Sequence, residues 1–136
     1  MSQAIGKRSM IPRKRGRIIN VASIAGLAGS ADMQFIAYGT SKGAVVNFTR
    51  ALAGSWGRYG ITTNALAPGF FPSRMTKGTI EAVGVEKLAA GAPLRRIGDE
   101  DDLKGAGVLF ASDAGKHITG QILAVDGGLT SVLSSS

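Results

Sequence analysis

The sequence predicts an α/β domain in which helices cover both faces of a parallel sheet. Strand-like and helix-like segments alternate along the chain, which is typical of parallel strands joined by helical crossovers. The strand-like segments are almost continuously apolar, as expected for strands that are buried on both faces. The chain has 136 residues, of which 44% are hydrophobic and 18% are charged. This size and composition predict one packed domain, and the apolar segments predict about three strands.

The first half of the chain contributes two helices and one strand. A short helix is expected over residues 3–10, because Pro12 disfavours helix immediately before it. Residues 17–22 form a β-branched, apolar run that predicts the first strand. Helical periodicity extends over about residues 36–59, and Gly60 fits the left-handed residue that ends such a helix.

The second half contributes two more strands. Residues 61–66 predict a strand that ends at Pro68-Gly69, and residues 121–125 predict the third, before Asp126-Gly-Gly. Between these strands, one short helix is expected over about residues 79–90. A second helix is expected to begin after Asp99, which is a favoured N-cap residue, and to reach about residue 111.

Composition excludes several classes of site and partner. The chain has no cysteine and one histidine, so neither a disulfide framework nor a metal site is predicted. No apolar run approaches the length of a membrane span, and residues 1–5 lack the apolar core of a signal peptide. We therefore expect a cytoplasmic protein that does not bind membranes.

The net charge of +7 does not by itself indicate a nucleic-acid partner. Much of the excess lies in one cluster, formed by Lys7, Arg8, Arg13, Lys14, Arg15 and Arg17. No aromatic residue lies among these cations to stack on bases. A solvated helix end and loop is the favoured interpretation, and we expect no nucleic-acid binding.

Three features of the sequence are predicted to converge on one crevice. Tyr38 and Lys42 are four residues apart and project from the same helix face. A cation held close to a phenol favours the phenolate, which makes the phenol a usable general acid or base. Ser23 follows the first strand and Pro68-Gly69 ends the second, and ligands of open α/β sheets bind outside the carboxyl ends of strands. Each feature is common as plain structure, but their convergence favours a functional site.

Four ordered motifs resemble the signatures of the short-chain dehydrogenases/reductases. They are Gly16-Arg-Ile-Ile-Asn-Val-Ala-Ser-Ile-Ala-Gly26, Tyr38-Gly-Thr-Ser-Lys42, Ile61-Thr-Thr-Asn-Ala-Leu-Ala-Pro-Gly69 and Ile118-Thr-Gly-Gln-Ile-Leu-Ala-Val-Asp-Gly-Gly128. The resemblance implies a Rossmann-like, doubly wound parallel sheet. It also implies an oxidoreductase that uses NAD or NADP to interconvert an alcohol and a carbonyl.

The resemblance also implies roles for individual residues. Ser23 would orient the substrate, Tyr38 would give or take the proton, and Lys42 would favour the phenolate and hold the nicotinamide ribose. The further residues implied in cofactor binding are Pro68, Gly69, Phe70 and Phe71, the last two through their backbone, and Ser73. Ser73 stands where threonine is more familiar, a change that keeps the hydroxyl.

One part of the family pattern has no match in the chain. The strand, glycine-rich turn and helix that meet the pyrophosphate in the family do not precede Gly16. We therefore expect residues 1–136 to form a single truncated domain without its N-terminal nucleotide-binding half. The first strand would then lie at a sheet edge, and the chain alone would be poorly stable and bind dinucleotide weakly.

The expected activity is alcohol/carbonyl interconversion on a small polar substrate. The segment Ala67-Pro-Gly-Phe-Phe-Pro-Ser-Arg-Met-Thr76 resembles gluconate- and polyol-type family members. The resemblance also implies a homo-oligomer, a dimer or tetramer, in the complete family member. The alternative is a non-catalytic fragment or interaction module that cannot bind cofactor alone.

Overall fold

A three-stranded parallel sheet forms the centre of the molecule. The computed structural model describes residues 10–29, 36–72 and 77–133. Strands β1 (Gly16–Val21), β2 (Ile61–Pro68) and β3 (Ile122–Val125) lie in the order β1-β2-β3. Both strand pairs are parallel, with Val21 opposite Leu66 and Pro68 opposite Val125. The predicted α/β class and all three strands are confirmed, and β2 continues two residues beyond its predicted end.

Five α-helical segments accompany the sheet in the described part of the chain. They are α1 (Ile11–Arg13), α2 (Ile36–Trp56), α3 (Lys77–Val83), α4 (Val85–Ala90) and α5 (Glu100–Ala111). The predicted N-cap of α5 is confirmed, because the Asp99 carboxylate accepts hydrogen bonds from the Asp101 and Asp102 amides.

The core lies between β2 and the helices that pack on it. Residues 61–67 of β2 are all buried. From α2, the side chains of Val46, Thr49 and Ala53 are buried, and Val46 joins the small side chains of Ala65 and Ala67 in the main apolar cluster. Helix α5 contacts all three strands. The central strand therefore has little freedom to move, which fixes the position of its carboxyl end.

Buried side-chain amides join the strands to their neighbours. The Asn64 side chain donates to the Ile118 carbonyl at 3.0 Å and accepts from the Gln121 amide at 3.0 Å. The Asn20 amide donates to the Thr49 hydroxyl at 3.0 Å. Because a buried amide without partners is costly, these bonds fix how β3 and α2 are aligned with the sheet.

Two helix predictions were wrong. The single helix predicted over residues 79–90 is two helices, because Gly84 between them has φ 93° and ψ 137°, which no helix contains. Pro12 lies inside α1 rather than ending a helix before it. Its fixed φ is compatible with a helical turn, and the segment ends at Lys14, which has φ 53°. Residues 3–9 of the predicted first helix lie outside the described residues.

The end of the long helix follows the prediction with one refinement. Helix α2 ends at Trp56, and a 3₁₀ turn continues over Gly57–Tyr59. Gly60 follows in the left-handed conformation with φ 75°, as predicted. Across residues 10–29, 36–72 and 77–133, no helix has the length and apolarity that crossing a membrane requires.

Candidate active site at the carboxyl edge of the sheet

Ser23 follows β1 and begins the turn that leaves the sheet. Its hydroxyl accepts a hydrogen bond from the Ala25 amide at 3.2 Å and caps the 3₁₀ turn Ile24–Gly26. We call the segment Ser23–Gly26 the serine turn. Because the hydroxyl is bound within its own turn, any displacement of the turn moves Ser23 with it.

Tyr38 and Lys42 lie in the first two turns of α2, both partly buried. The Lys42 ammonium donates to the carbonyl of Val21, the last residue of β1, at 3.4 Å. The same ammonium lies 5.7 Å from the centre of the Tyr38 ring, within the range of a cation–π contact. The predicted side-chain pair is therefore formed, and it lies against the carboxyl end of β1.

The serine turn packs directly on the backbone of α2. A Cβ atom built on Gly26 would lie 2.6 Å from the Lys42 carbonyl carbon and 2.8 Å from the Gly43 nitrogen. A Cβ atom on Gly39 would lie 3.1 Å from the Ala25 carbonyl oxygen. The structure thus brings the serine turn, Tyr38 and Lys42 together at one edge of the sheet.

Pro68 and Gly69 lie at the carboxyl end of the central strand. The Gly69 amide donates to the Val125 carbonyl at 3.0 Å. A Cβ atom on Gly69 would lie 2.8 Å from the Asp126 Cβ. The end of β2 is therefore pressed against the end of β3, and only glycine fits at this position.

Phe70 and Phe71 border a separate cavity. They line this cavity of about 480 Å³ together with residues of α4, of the loop before α5 and of the β3 end, among them Leu88, Ile97 and Leu129. The residues that line this cavity do not include Ser23, Tyr38 or Lys42. The predicted cofactor role concerned the backbone of the two phenylalanines and stays a prediction. Ser73 lies outside the described residues.

The loop before α5 forms one wall of this cavity and is held at two points. The Gly98 amide donates to the Phe70 carbonyl at 2.8 Å. The two terminal nitrogens of the Arg96 guanidinium, Nη1 and Nη2, each donate to a different carboxylate oxygen of Asp102 at 2.6 Å. The hydrogen bond from Arg96 is the main cause that lowers the pKa of Asp102, and the same bond raises the pKa of Arg96.

Asp126 holds the turn after β3 and was missed as a functional candidate. Its carboxylate accepts from the Gly128 amide at 3.0 Å and from the Thr130 amide and hydroxyl at 2.9 and 2.7 Å. Partial burial raises the pKa of Asp126, but these hydrogen bonds outweigh it, so the pKa lies below its ordinary value. An Asp-Gly-Gly sequence directly after a strand was the signal that could have revealed this turn.

The arrangement can move a proton to or from an oxygen atom. A phenol, an ammonium and a serine hydroxyl are the donors and acceptors that general acid–base chemistry requires. Among residues 10–29, 36–72 and 77–133, no cluster of histidine and carboxylate side chains could hold a metal ion. The phenol, the ammonium and the hydroxyl of the described site offer proton transfer through side chains.

Comparison with known proteins identifies relatives over nearly the whole chain. A family model described as enoyl-(acyl carrier protein) reductase matches residues 1–130. The gluconate 5-dehydrogenase of Gluconobacter oxydans (strain 621H) is 39% identical over 131 residues, which are 96% of this chain and 50% of that protein. The 3-oxoacyl-(acyl-carrier-protein) reductase of Chlamydia muridarum is 38% identical over 90% of this chain and 48% of that protein.

A solved structure is also similar over nearly the whole chain. A gluconate 5-dehydrogenase from Burkholderia cenocepacia, crystallised with NADP and tartrate, superposes with a TM-score of 0.89 at 38% identity. The match covers 97% of this chain and 51% of that one. The chain thus spans about half the length of the relatives it matches.

Proposed function

We propose that this chain, which belongs to the short-chain dehydrogenase/reductase family, carries the proton-transfer site of an NAD(P)-dependent oxidoreductase. The reaction is the interconversion of an alcohol and a carbonyl. One observation carries the proposal: Lys42 lies between Tyr38 and the carboxyl end of β1, with its ammonium 5.7 Å from the Tyr38 ring centre and 3.4 Å from the Val21 carbonyl. This arrangement holds the phenol beside a fixed cation at the edge where ligands of α/β sheets bind.

The residues of this chain divide the reaction between them. In the direction of reduction, Tyr38 donates its hydroxyl proton to the substrate oxygen, on which negative charge develops. The Ser23 hydroxyl donates a hydrogen bond to the same oxygen and orients it. The Lys42 ammonium stabilises the phenolate that remains. In the direction of oxidation, the phenolate takes the proton of the alcohol.

The donor set at the site fits a nicotinamide dinucleotide. Lys42 has three N–H donors, and its hydrogen bond within the described chain goes to one carbonyl, so donors are left for ribose hydroxyls. The backbone at Pro68–Gly69 lies at the same carboxyl edge of the sheet. A bound NAD or NADP would supply or accept the hydride. NADP is present in the related structure from Burkholderia cenocepacia.

Two substrate classes follow from two different observations. A small polar substrate of the gluconate type is favoured by the relatives from Gluconobacter and Burkholderia. A 3-oxoacyl thioester is favoured by the cavity behind Phe70 and Phe71, because its walls are mainly apolar, and by the relative from Chlamydia. We place the gluconate type first, since the segment after Gly69 resembles that group in sequence.

The replacement Tyr38→Phe tests the proposal, and Tyr59→Phe is its matched control. The chain has two tyrosines, and the Tyr59 hydroxyl is bound by Arg58 at the far end of α2. Purified protein is assayed with NADH or NADPH on 5-keto-D-gluconate and on an acetoacetyl thioester. Loss of the phenol is expected to lower kcat by about 100-fold or more, while Tyr59→Phe keeps parental activity.

Each result of this assay decides between functions. A Tyr38→Phe variant that retains turnover would show that another group moves the proton. A folded parent chain with neither turnover nor dinucleotide binding would favour the non-catalytic interaction module. The substrate that is turned over with the higher kcat/KM identifies the class.

A further inference from the structure

The serine turn and α2 approach each other more closely than side chains allow. A Cβ on Gly26 would lie 2.6 Å from the Lys42 carbonyl carbon and 2.7 Å from its oxygen. Neither neighbour is the flexible end of a side chain, since both are backbone atoms of a helix. A side chain on Gly26 therefore requires the turn and α2 to move apart.

The conformation of the backbone does not explain these glycines. Neither Gly26 nor Gly39 has a positive φ, in contrast to Gly60, Gly84, Gly120, Gly127 and Gly128. Alanine is also the better helix former, so Gly39 inside α2 is unfavourable for the helix itself. Close approach is the property that glycine supplies at both positions.

The two ends of this contact carry the reacting groups. On one side, Ser23 is bound to its own turn through the Ala25 amide. On the other side, Gly39 follows Tyr38 directly, and Gly26 lies against the carbonyl group of Lys42. The distance between the backbone of the serine turn and the backbone of α2 therefore sets how far the serine hydroxyl lies from the tyrosine and the lysine.

We propose that Gly26 and Gly39 are positioning residues that set the distance between Ser23 and the Tyr38–Lys42 pair by backbone-to-backbone contact. This inference rests on the proposed function, because the distance matters for catalysis only if these side chains share one substrate oxygen. A misplacement of about 1 Å can cost roughly 100-fold in rate. The contact distances predict a graded effect, because the Cβ of residue 26 would overlap strongly and that of residue 39 would be only tight at 3.1 Å.

Alanine variants test whether the loss of activity is larger at residue 26 than at residue 39. Gly26→Ala is expected to lower kcat by roughly 100-fold with little change in KM, and Gly39→Ala by a smaller, several-fold amount. The control is Gly54→Ala, in the same helix, where a Cβ would meet no atom within 4 Å. This control variant is expected to keep the parental kcat.

Gly39→Ala should keep or raise the melting temperature. If Gly39 had a purely structural role, its replacement would instead lower the melting temperature.

Results at Gly26 and Gly39 can overturn the proposal separately. Parental kcat in Gly26→Ala would contradict it. If Gly26→Ala does not fold, Gly39→Ala decides: parental kcat, or a kcat loss accompanied by an equal loss of thermal stability, would contradict a positioning role.

An NMR measurement separates this inference from the proposed function. In the parent chain, a strong NOE is expected between an Hα of Gly26 and the amide proton of Gly43, whose nitrogen lies at the contact. The NOE should weaken in Gly39→Ala and persist in Gly54→Ala. A full-strength NOE in Gly39→Ala would overturn the positioning role even in a chain without turnover, whereas absent turnover with the expected NOE pattern would overturn the proposed function alone.

Discussion

At the scale of single residues, Asp126 links the turn after β3 to the end of the central strand. Its carboxylate accepts three hydrogen bonds, from Gly128 and Thr130. A Cβ atom on Gly69 would lie only 2.8 Å from the Asp126 Cβ. One carboxylate therefore shapes the turn and limits where the Pro68–Gly69 segment can lie. Hydrogen bonds to a charged acceptor contribute more than those between neutral groups.

Replacing Asp126 by asparagine should destabilise the protein and reduce its sensitivity to acid. Because the pKa of Asp126 is lowered in the folded state, its contribution is complete above the ordinary pKa of about 3.9 and is lost as the pH falls through the folded-state value. At neutral pH, Asp126→Asn should lower the free energy of unfolding by about 1–2 kcal/mol. Urea unfolding from pH 7 to pH 3 measures both effects.

The exposed Glu86 provides the control for this prediction. The replacement Glu86→Gln removes one carboxylate without removing a comparable set of hydrogen bonds. Its urea unfolding is measured over the same pH range, and at pH 7 its free energy of unfolding should equal that of the parent. An Asp126→Asn variant that loses stability on acidification as steeply as the parent would contradict the assignment.

The residues of the site were predictable to different degrees. Tyr38 and Lys42 were placed on one helix face by their spacing alone, because helical geometry fixes the relation of residues four apart. The contact of Gly26 with the Lys42 backbone was not predictable. Residue spacing carries no information about how closely two separate segments approach, and that distance depends on the packing of α2 on the sheet.

At the scale of elements, the N-terminus of α5 is held by a reciprocal pair of caps. The Asp99 carboxylate accepts from the Asp101 and Asp102 amides, and the Asp102 carboxylate accepts from the Asp99 amide at 2.8 Å. Asp102 also binds Arg96, so the cap and the loop that lines the cavity share one side chain. The start of α5 thus anchors that loop.

The cap can be tested by a pair of substitutions at one position. Asp99→Ala removes the side-chain acceptor and should lower the free energy of unfolding by about 1 kcal/mol. Asp99→Asn keeps an acceptor oxygen and should recover most of that loss. Thermal and urea unfolding of the two variants measures the difference. Equal stability of the alanine and asparagine variants would show that the cap contributes little.

Element boundaries were predictable where a residue type marks them. Asp99 and Gly60 mark a helix start and a helix end by their chemistry, and both predictions were confirmed. The break at Gly84 was missed, because helical periodicity continues through a glycine in the sequence whatever φ it adopts. The turn through Pro12 was missed for the opposite reason, since a proline is excluded from helix interiors but not from a single helical turn.

At the scale of the whole molecule, β1 and β3 are the two edge strands of the sheet in the described part of the chain. Strand β1 pairs with β2 on one side, and its outer side has no strand beside it among the described residues. Val21 at its carboxyl end is 61% exposed. An apolar edge strand is a template for pairing with another chain.

We expect purified chains to associate through the outer edge of β1. Sedimentation equilibrium should give an average mass above the 13.9 kDa of one chain. Val21→Lys should shift the mass towards that of the monomer, because a charge on an edge strand opposes pairing. The control is Val108→Lys, which places the same charge on α5 at a residue that is 64% exposed and should leave association unchanged.

A third variant, Phe48→Lys, tests the outer face of α2, where the phenylalanine is 49% exposed. Dissociation by Phe48→Lys alone would assign the interface to α2 and would show the edge prediction to be wrong. A monomeric parent chain would contradict association through either the β1 edge or the α2 face.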